Sequence, residues 1–101
     1  MSSDIDGLVV ENDEKSRQFR LRVDGQVALI EYSRSNDTLI FKHTEVPPAL
    51  EGRGIAGKLA RTALEYARDH KLAVVPRCQF VAAYIRKHAE FQPLVRPEER
   101  S

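Results

Sequence analysis

Apolar and polar residues alternate over residues 8–46, in short segments that are separated by turn-forming residues. In the clearest segment Phe19, Leu21 and Val23 fall on one face, because successive side chains of a strand point to opposite sides. The pair Asp24-Gly25 follows, and such a pair readily adopts the positive φ angles of a tight turn. The pattern therefore predicts an antiparallel meander with a hairpin at this turn.

The predicted meander continues through a returning strand at residues 27–32, a turn at residues 35–37 and a further strand. This last strand is expected to end at about Val46, because the following Pro47-Pro48 cannot donate to a sheet ladder. A period of two places three of its side chains on one face: Leu39, Phe41 and His43.

Beyond the prolines the apolar period lengthens to about 3.6 residues, which is typical of amphipathic helices. The first helical stripe starts at Ile55, and its helix is expected to end near Asp69. A short apolar run at residues 72–75 predicts a buried strand beside the meander. A second helix is predicted at residues 79–88, and its apolar stripe comprises Val81, Tyr84, Ile85 and His88.

The chain of 101 residues is long enough for one domain and too short for two. We therefore expect a single domain over residues 1–101, with flexible ends at about residues 1–6 and 96–101. Apolar residues make up 42% of the chain and charged residues 31%, which is typical of globular proteins. The net charge of +1 predicts no general attraction to nucleic acid or to an anionic membrane.

The expected location is the cytosol or the nucleus. No apolar run approaches the roughly 18 residues that cross a bilayer, and the acidic start lacks the features of a signal peptide. The single cysteine, Cys78, cannot form an internal disulfide, which fits a reducing compartment. The histidines, cysteine and carboxylates show no spacing typical of a metal site, so no metal is predicted.

A glycine-rich stretch, Gly52-x-Gly54-x-x-Gly57-Lys58, separates the last strand of the meander from the first helix. Glycines let backbone N–H groups approach an anion, and a helix start adds unpaired N–H groups and a positive dipole end. This predicts phosphate binding, the alternative being a turn that serves only the fold. Two known phosphate-binding motifs match this stretch in sequence but not in context. The dinucleotide fingerprint requires a strand that runs directly into the glycines, and here prolines precede them. The Walker A loop requires Ser or Thr after the lysine, and here that residue is Leu59.

The same stretch resembles the R/Q-x-x-G-x-G/A signature of GNAT superfamily N-acetyltransferases. The matching residues are Glu51-Gly52-Arg53-Gly54-Ile55-Ala56, with Glu51 at the position where that family usually has Arg or Gln. The chain also resembles the small single-domain branch of GNAT-like proteins in three further segments: His43-Thr44-x-Val46, Pro76-x-Cys78 and Tyr84-Ile85-x-x-His88-x-Glu90-Phe91.

The resemblance implies an α+β fold of the minimal GNAT-like type, an antiparallel meander followed by helix–strand–helix. This minimal fold lacks the two helices that larger members place between the first strands. The side of the domain where the acceptor substrate binds is therefore expected to be open. The implied activity is acetyl transfer from acetyl-coenzyme A to an amine of a small molecule, a protein lysine or an N-terminus. A coenzyme A binding or interaction module without turnover is the alternative. The implied cofactor-binding residues are Val46, Glu51, Gly52, Arg53, Gly54, Ile55, Ala56, Gly57 and Lys58.

Acetyl transfer to an amine needs a base, donors for the developing oxyanion and a proton for the leaving thiolate. His43 is the candidate base, because an imidazole titrates near neutrality, although a hydrogen-bonded core position explains it equally. Cys78, at a predicted helix start, is a nucleophile, a relay, a thiol beside the cofactor sulfur, or a small buried residue. Tyr84 resembles the tyrosine that protonates the leaving coenzyme in larger GNAT enzymes, but its place on the apolar stripe favours a core role.

Overall fold

The computed structural model describes residues 8–96, which form one five-stranded sheet and two α-helices. The strands are β1 (Glu11–Asp13), β2 (Gln18–Val23), β3 (Gln26–Ser35), β4 (Thr38–Glu45) and β5 (Ala73–Pro76). The α-helices are α1 (Ile55–Asp69) and α2 (Gln79–Lys87), and two 3₁₀ helices span Pro48–Leu50 and Ala89–Leu94. Except for Arg96, the predicted flexible ends lie outside the described residues.

The strands follow one another across the sheet in the order β1-β2-β3-β4-β5. The β2–β3 turn has φ angles of 52° at Asp24 and 78° at Gly25, as the predicted tight hairpin requires. Asn36 makes the next turn with a φ of 55°. The first four strands are antiparallel, and α1 then crosses over so that β5 pairs parallel to β4. The predicted meander followed by helix–strand–helix is confirmed.

Both α-helices cover the same face of the sheet. A single cluster of buried side chains joins this face to α1 and α2, and Phe91 from the final 3₁₀ helix is fully buried in it. Burying an aliphatic or aromatic side chain of this size stabilises the fold by about 1.5–3 kcal/mol. The strands contribute Phe19, Leu21, Val23, Ala28, Ile30, Tyr32, Leu39, Phe41 and Val74 to this cluster.

A β-bulge at Lys42 interrupts the regular alternation of β4. Phe41 pairs with Tyr32, but the neighbouring Glu31 pairs with His43, so Lys42 is an extra residue on β4. The bulge moves His43 to the sheet face that the helices leave uncovered, and it brings Thr44 to the covered face. The prediction that His43 shares the face of Phe41 is therefore wrong, because a period of two holds only in an uninterrupted strand.

Each α-helix ends on the same arrangement of a tyrosine and a histidine four residues later. The rings of Tyr66 and His70 stack with centroids 4.0 Å apart, and those of Tyr84 and His88 stack 3.9 Å apart. In each pair the histidine Nδ1 donates to the tyrosine carbonyl, over 2.9 Å and 2.8 Å respectively. These imidazoles bond carbonyls in the last turn of each helix; the Tyr66 carbonyl also accepts from the His70 backbone N–H over 3.0 Å.

Candidate functional site

A groove of about 600 Å³ opens where β4 ends and α1 begins. It exists because β4 and β5 separate after the pair Phe41 and Pro76. Beyond that pair β4 continues to Glu45, whereas the chain after β5 turns away and enters α2. The groove is lined by Thr44, Glu45, Val46, Leu50, Glu51, Gly52, Gly54, Ile55, Ala56, Gly57 and Phe80.

The glycine bend that leads into α1 forms one wall of this groove. Gly52 and Gly54 have φ angles of 80° and 78°, in the left-handed region that favours glycine. Gly54 is the N-cap of α1, and the first helical hydrogen bond runs from the Lys58 N–H to the Gly54 carbonyl over 3.1 Å. The three preceding N–H groups, on residues 55–57, therefore have no partner within the helix. This wall carries backbone donors and the positive end of a helix dipole.

Neither backbone conformation nor close packing explains why residue 57 is a glycine. Its backbone is helical, and a Cβ added there would lie 3.8 Å from Cε2 of Tyr84, an ordinary contact. Glycine inside a helix is about 1 kcal/mol less favourable than alanine. Gly57 itself lines the groove.

The charged side chains on the groove wall are acidic. Glu45 and Glu51 line it, and both residues are exposed. The predicted phosphate partners Arg53 and Lys58 flank the bend without belonging to the lining, and Arg53 lies 3.9 Å from a carboxylate oxygen of Asp24. A bound anion would therefore contact backbone groups rather than cationic side chains of the lining.

Three atoms of Cys78, its backbone nitrogen, carbonyl oxygen and sulfur, make polar contacts that fix this residue beside the groove. It is the N-cap of α2 and only 7% exposed; its N–H donates to the Phe41 carbonyl over 2.9 Å, and its own carbonyl accepts from Ala82 over 3.0 Å. Its sulfur lies 3.0 Å from the hydroxyl oxygen of Thr44, which lines the groove. Sequence reasoning missed Thr44, because only the bulge turns this residue toward the covered face.

His43 lies on the other face of the sheet from Cys78. Its imidazole is 53% exposed, and Nε2 lies 3.2 Å from a carboxylate oxygen of Glu45. Glu45 follows two residues later on the same face and lines the groove rim. The structure therefore does not bring His43 and Cys78 together.

Tyr84 lies behind the groove, packed between the two helices. Its ring stacks on His88 and touches the position of a Gly57 Cβ. Its phenol, together with the carboxylate of Glu90, raises the pKa of the Arg61 guanidinium. Arg61 also lies over the ring of Phe91, 5.4 Å from its centroid. These contacts agree with the core role that the apolar stripe favours.

Phe80 also lines the groove and was missed by sequence reasoning, as were Glu45 and Leu50. It lies in the first turn of α2 outside the predicted apolar stripe and remains 38% exposed. Among residues 8–96 no group of three or more His, Cys, Asp or Glu side chains is placed to hold a metal ion. Neither described α-helix is long and apolar enough to cross a membrane.

Comparison with known families matches residues 18–94 to the model of the GCN5-related N-acetyl-transferase family. The chain belongs to this family. The fold agrees with the assignment: a GCN5-like protein from Staphylococcus aureus, solved by NMR in solution, superposes with a TM-score of 0.70 at 26% identity, covering 88% of each chain. The GNAT-like fold implied by the sequence is confirmed.

Curated relatives of this GNAT domain include Protein NATD1 from several vertebrates. The Xenopus tropicalis protein is 37% identical over 83 residues, covering 78% of this chain and 75% of the relative. The Danio rerio protein is 36% identical over 93 residues, covering 88% and 84%. The Homo sapiens protein is 36% identical over 83 residues, covering 78% and 73%. The similarity thus extends over most of both chains.

Proposed function

We propose that this GNAT domain binds acetyl-coenzyme A in the groove and transfers the acetyl group to an amine. The observation that carries the proposal is the wall of unpaired N–H groups on residues 55–57, which follows two glycines at positive φ. Such a wall suits the diphosphate of a coenzyme, because its donors and helix dipole favour negative charge. Family membership supports the same ligand.

The unfilled space at Gly57 supports a ligand that approaches the backbone closely. Neither a positive φ nor internal crowding explains this glycine, whereas a diphosphate against the first turn of α1 would occupy the space of a Cβ. The backbone at Gly52, Gly54 and Gly57 would hold the coenzyme. Ile55 and Ala56 complete the same wall, with Arg53 and Lys58 beside it, and Val46 lines the groove just after β4.

The uncharged arm of the coenzyme would follow the free edge of β4. This strand is without a β5 partner beyond Phe41 in the described structure, which supports pairing of its backbone groups near Val46 with amides of the ligand. A backbone N–H there would also polarise the thioester carbonyl. The Thr44 hydroxyl and the Cys78 thiol lie on this side of the groove.

The transfer step forms a bond between the amine nitrogen and the acetyl carbon while the carbon–sulfur bond breaks. The amine loses a proton, and the leaving thiolate gains one. We assign the first proton to His43, which Glu45 holds at the groove rim, and the second to the Thr44–Cys78 pair. Because His43 lies on the uncovered sheet face, the amine would enter from that face. The acceptor is a small-molecule amine, a lysine or a protein N-terminus.

Calorimetry with acetyl-coenzyme A, followed by measurement of free coenzyme A with a panel of amines and peptides, tests the proposal. We expect saturable binding and amine-dependent release of coenzyme A. Binding without release would favour a non-catalytic coenzyme A binding module. NMR titration provides the site-specific check, since amide resonances of residues 52–57 should shift on binding. No binding, or unmoved resonances in this bend, would overturn the proposal.

The cytosol or the nucleus is the location that we propose for this activity. The free thiol of Cys78 supports a reducing compartment, where single cysteines stay reduced. Fractionation of cells that express the chain, with detection by antibody, tests this location.

A further inference from the structure

Phe80 combines two properties that no other described residue shares: it is a large exposed hydrophobic side chain, and it lines the groove. Val9 is the other large hydrophobic residue exposed among residues 8–96, at 81%, and it lies outside the groove lining. Phe80 is 38% exposed, so part of its ring meets solvent inside a concave surface. An aromatic side chain there favours an uncharged part of a ligand over a phosphate.

Phe80 belongs to the reactive side of the groove. It follows Cys78 by two residues at the start of α2, and it shares the groove with Thr44, whose hydroxyl touches the Cys78 sulfur. The glycine bend provides the anion-binding wall separately, from α1. Among the residues that line the groove, the one nearest in sequence to the thiol is therefore also the bulkiest.

Other aromatic rings pack behind the ring of Phe80 and restrict its movement away from the groove. Its centroid lies 6.4 Å from that of Tyr84, which stacks in turn on His88 at 3.9 Å and lies 6.4 Å from Phe91. Phe91 is fully buried, so this group of rings is anchored in the core. A ring held from behind in this way sets a limit on what can occupy the groove in front of it.

We propose that Phe80 restricts the acyl group of the bound thioester to a short chain. The inference rests on the proposed function and adds a determinant of its substrate class. An acetyl group would pass beside the ring, whereas each further methylene would meet it. Replacement by a smaller side chain would open the space that a longer acyl chain needs.

The test compares the affinities of coenzyme A, acetyl-coenzyme A and hexanoyl-coenzyme A for the wild type, Phe80→Ala and Phe80→Leu by calorimetry. In Phe80→Ala we expect the affinity for hexanoyl-coenzyme A relative to acetyl-coenzyme A to rise about tenfold, the scale of one or two methylenes in an apolar pocket. Phe80→Leu should give a smaller rise. Val9→Ala, which shortens an exposed side chain outside the groove, should leave the ratio unchanged.

Three outcomes would overturn the role of Phe80. The first is an unchanged ratio in both variants, and the second is a wild type that already binds both thioesters equally. The third is an equal loss of affinity for all three ligands, which would show that the ring contacts the coenzyme arm or only supports the fold. Absence of coenzyme A binding to the wild type would instead refute the proposed function itself, and the role of Phe80 with it.

Discussion

The hydroxyl oxygen of Thr44 lies 3.0 Å from the sulfur of Cys78, and this contact connects β4 to the residue that caps α2. The two residues are 34 positions apart, so the contact depends on the whole crossover through α1 and β5. It also depends on the bulge at Lys42, without which Thr44 would face the other side of the sheet. The thiol is thereby fixed at the groove wall.

Cys78→Ala separates a chemical role of the thiol from a packing role. If the thiol supplies a proton or attacks the thioester, we expect loss of amine-dependent coenzyme A release with acetyl-coenzyme A binding retained. The lost sulfur should cost about 1 kcal/mol of the free energy of unfolding, since the site is nearly buried. Turnover and urea denaturation on one sample decide the matter, and full turnover in the variant would assign Cys78 to packing alone.

Gly57→Ala should raise stability and weaken ligand binding in the same molecule. The added Cβ makes only an ordinary contact with Tyr84, so the better helix propensity should add about 1 kcal/mol to the free energy of unfolding. The same methyl group would stand where we place the diphosphate, so affinity for acetyl-coenzyme A should fall severalfold.

The matched control for Gly57→Ala is Gly25→Ala, in the β2–β3 turn and outside the groove lining. Gly25 has a φ of 78°, so this variant should lose about 1 kcal/mol of stability while its affinity stays unchanged. Urea denaturation and calorimetry give both quantities for both variants. Unaltered affinity in a folded Gly57→Ala protein would contradict the backbone cradle.

The hairpin, the crossover and the α-helices could be predicted because their signals are local. Asp24-Gly25 determines a turn, and the change of period after the prolines determines the helix α1. The bulge could not be predicted, since Lys42 carries no glycine or proline signal, and it changes the face of every later residue of β4. The place of Phe80 in the groove could not be predicted, because this residue lies outside the apolar stripe of α2. Only the convergence of α2 with β4 brings it to the groove. The assignments of His43, Cys78 and Tyr84 to chemical steps stay predictions.

Glu51→Gln should tighten coenzyme binding. Glu51 lines the groove at the position where the family usually has Arg or Gln, so its carboxylate repels an anionic ligand. Because the side chain is exposed, we expect an effect of only about threefold, decreasing as salt is added. Glu11→Gln on β1 makes the same charge change outside the groove lining and should leave affinity unaltered. Equal effects of the two substitutions would show that net charge, rather than the groove, is responsible.

His43→Gln tests the assignment of the base. Glutamine keeps a hydrogen-bonding group beside Glu45 but cannot take up the amine proton, so kcat should fall by about 100-fold with the affinity for acetyl-coenzyme A retained. His70→Gln, at the end of α1, removes an exposed imidazole far from the groove lining and serves as the control. A wild-type kcat in His43→Gln would exclude this residue as the base.

The carboxyl group of Asp13 makes the stability of the fold depend on pH in the acidic range. The Ser16 backbone N–H donates to its carboxylate over 3.3 Å and, with Arg20 nearby, lowers the pKa of Asp13 below its usual 3.8. A carboxyl whose pKa is lower in the folded state stabilises the fold above its unfolded pKa, and this contribution disappears as pH falls through the folded value. Asp13→Asn should therefore have a lower urea midpoint than the wild type at neutral pH, and the two midpoints should converge as pH falls below the lowered pKa of Asp13. A difference that persists unchanged at acidic pH would show that the charge of Asp13 contributes nothing and that the amide disturbs the β1–β2 turn in another way.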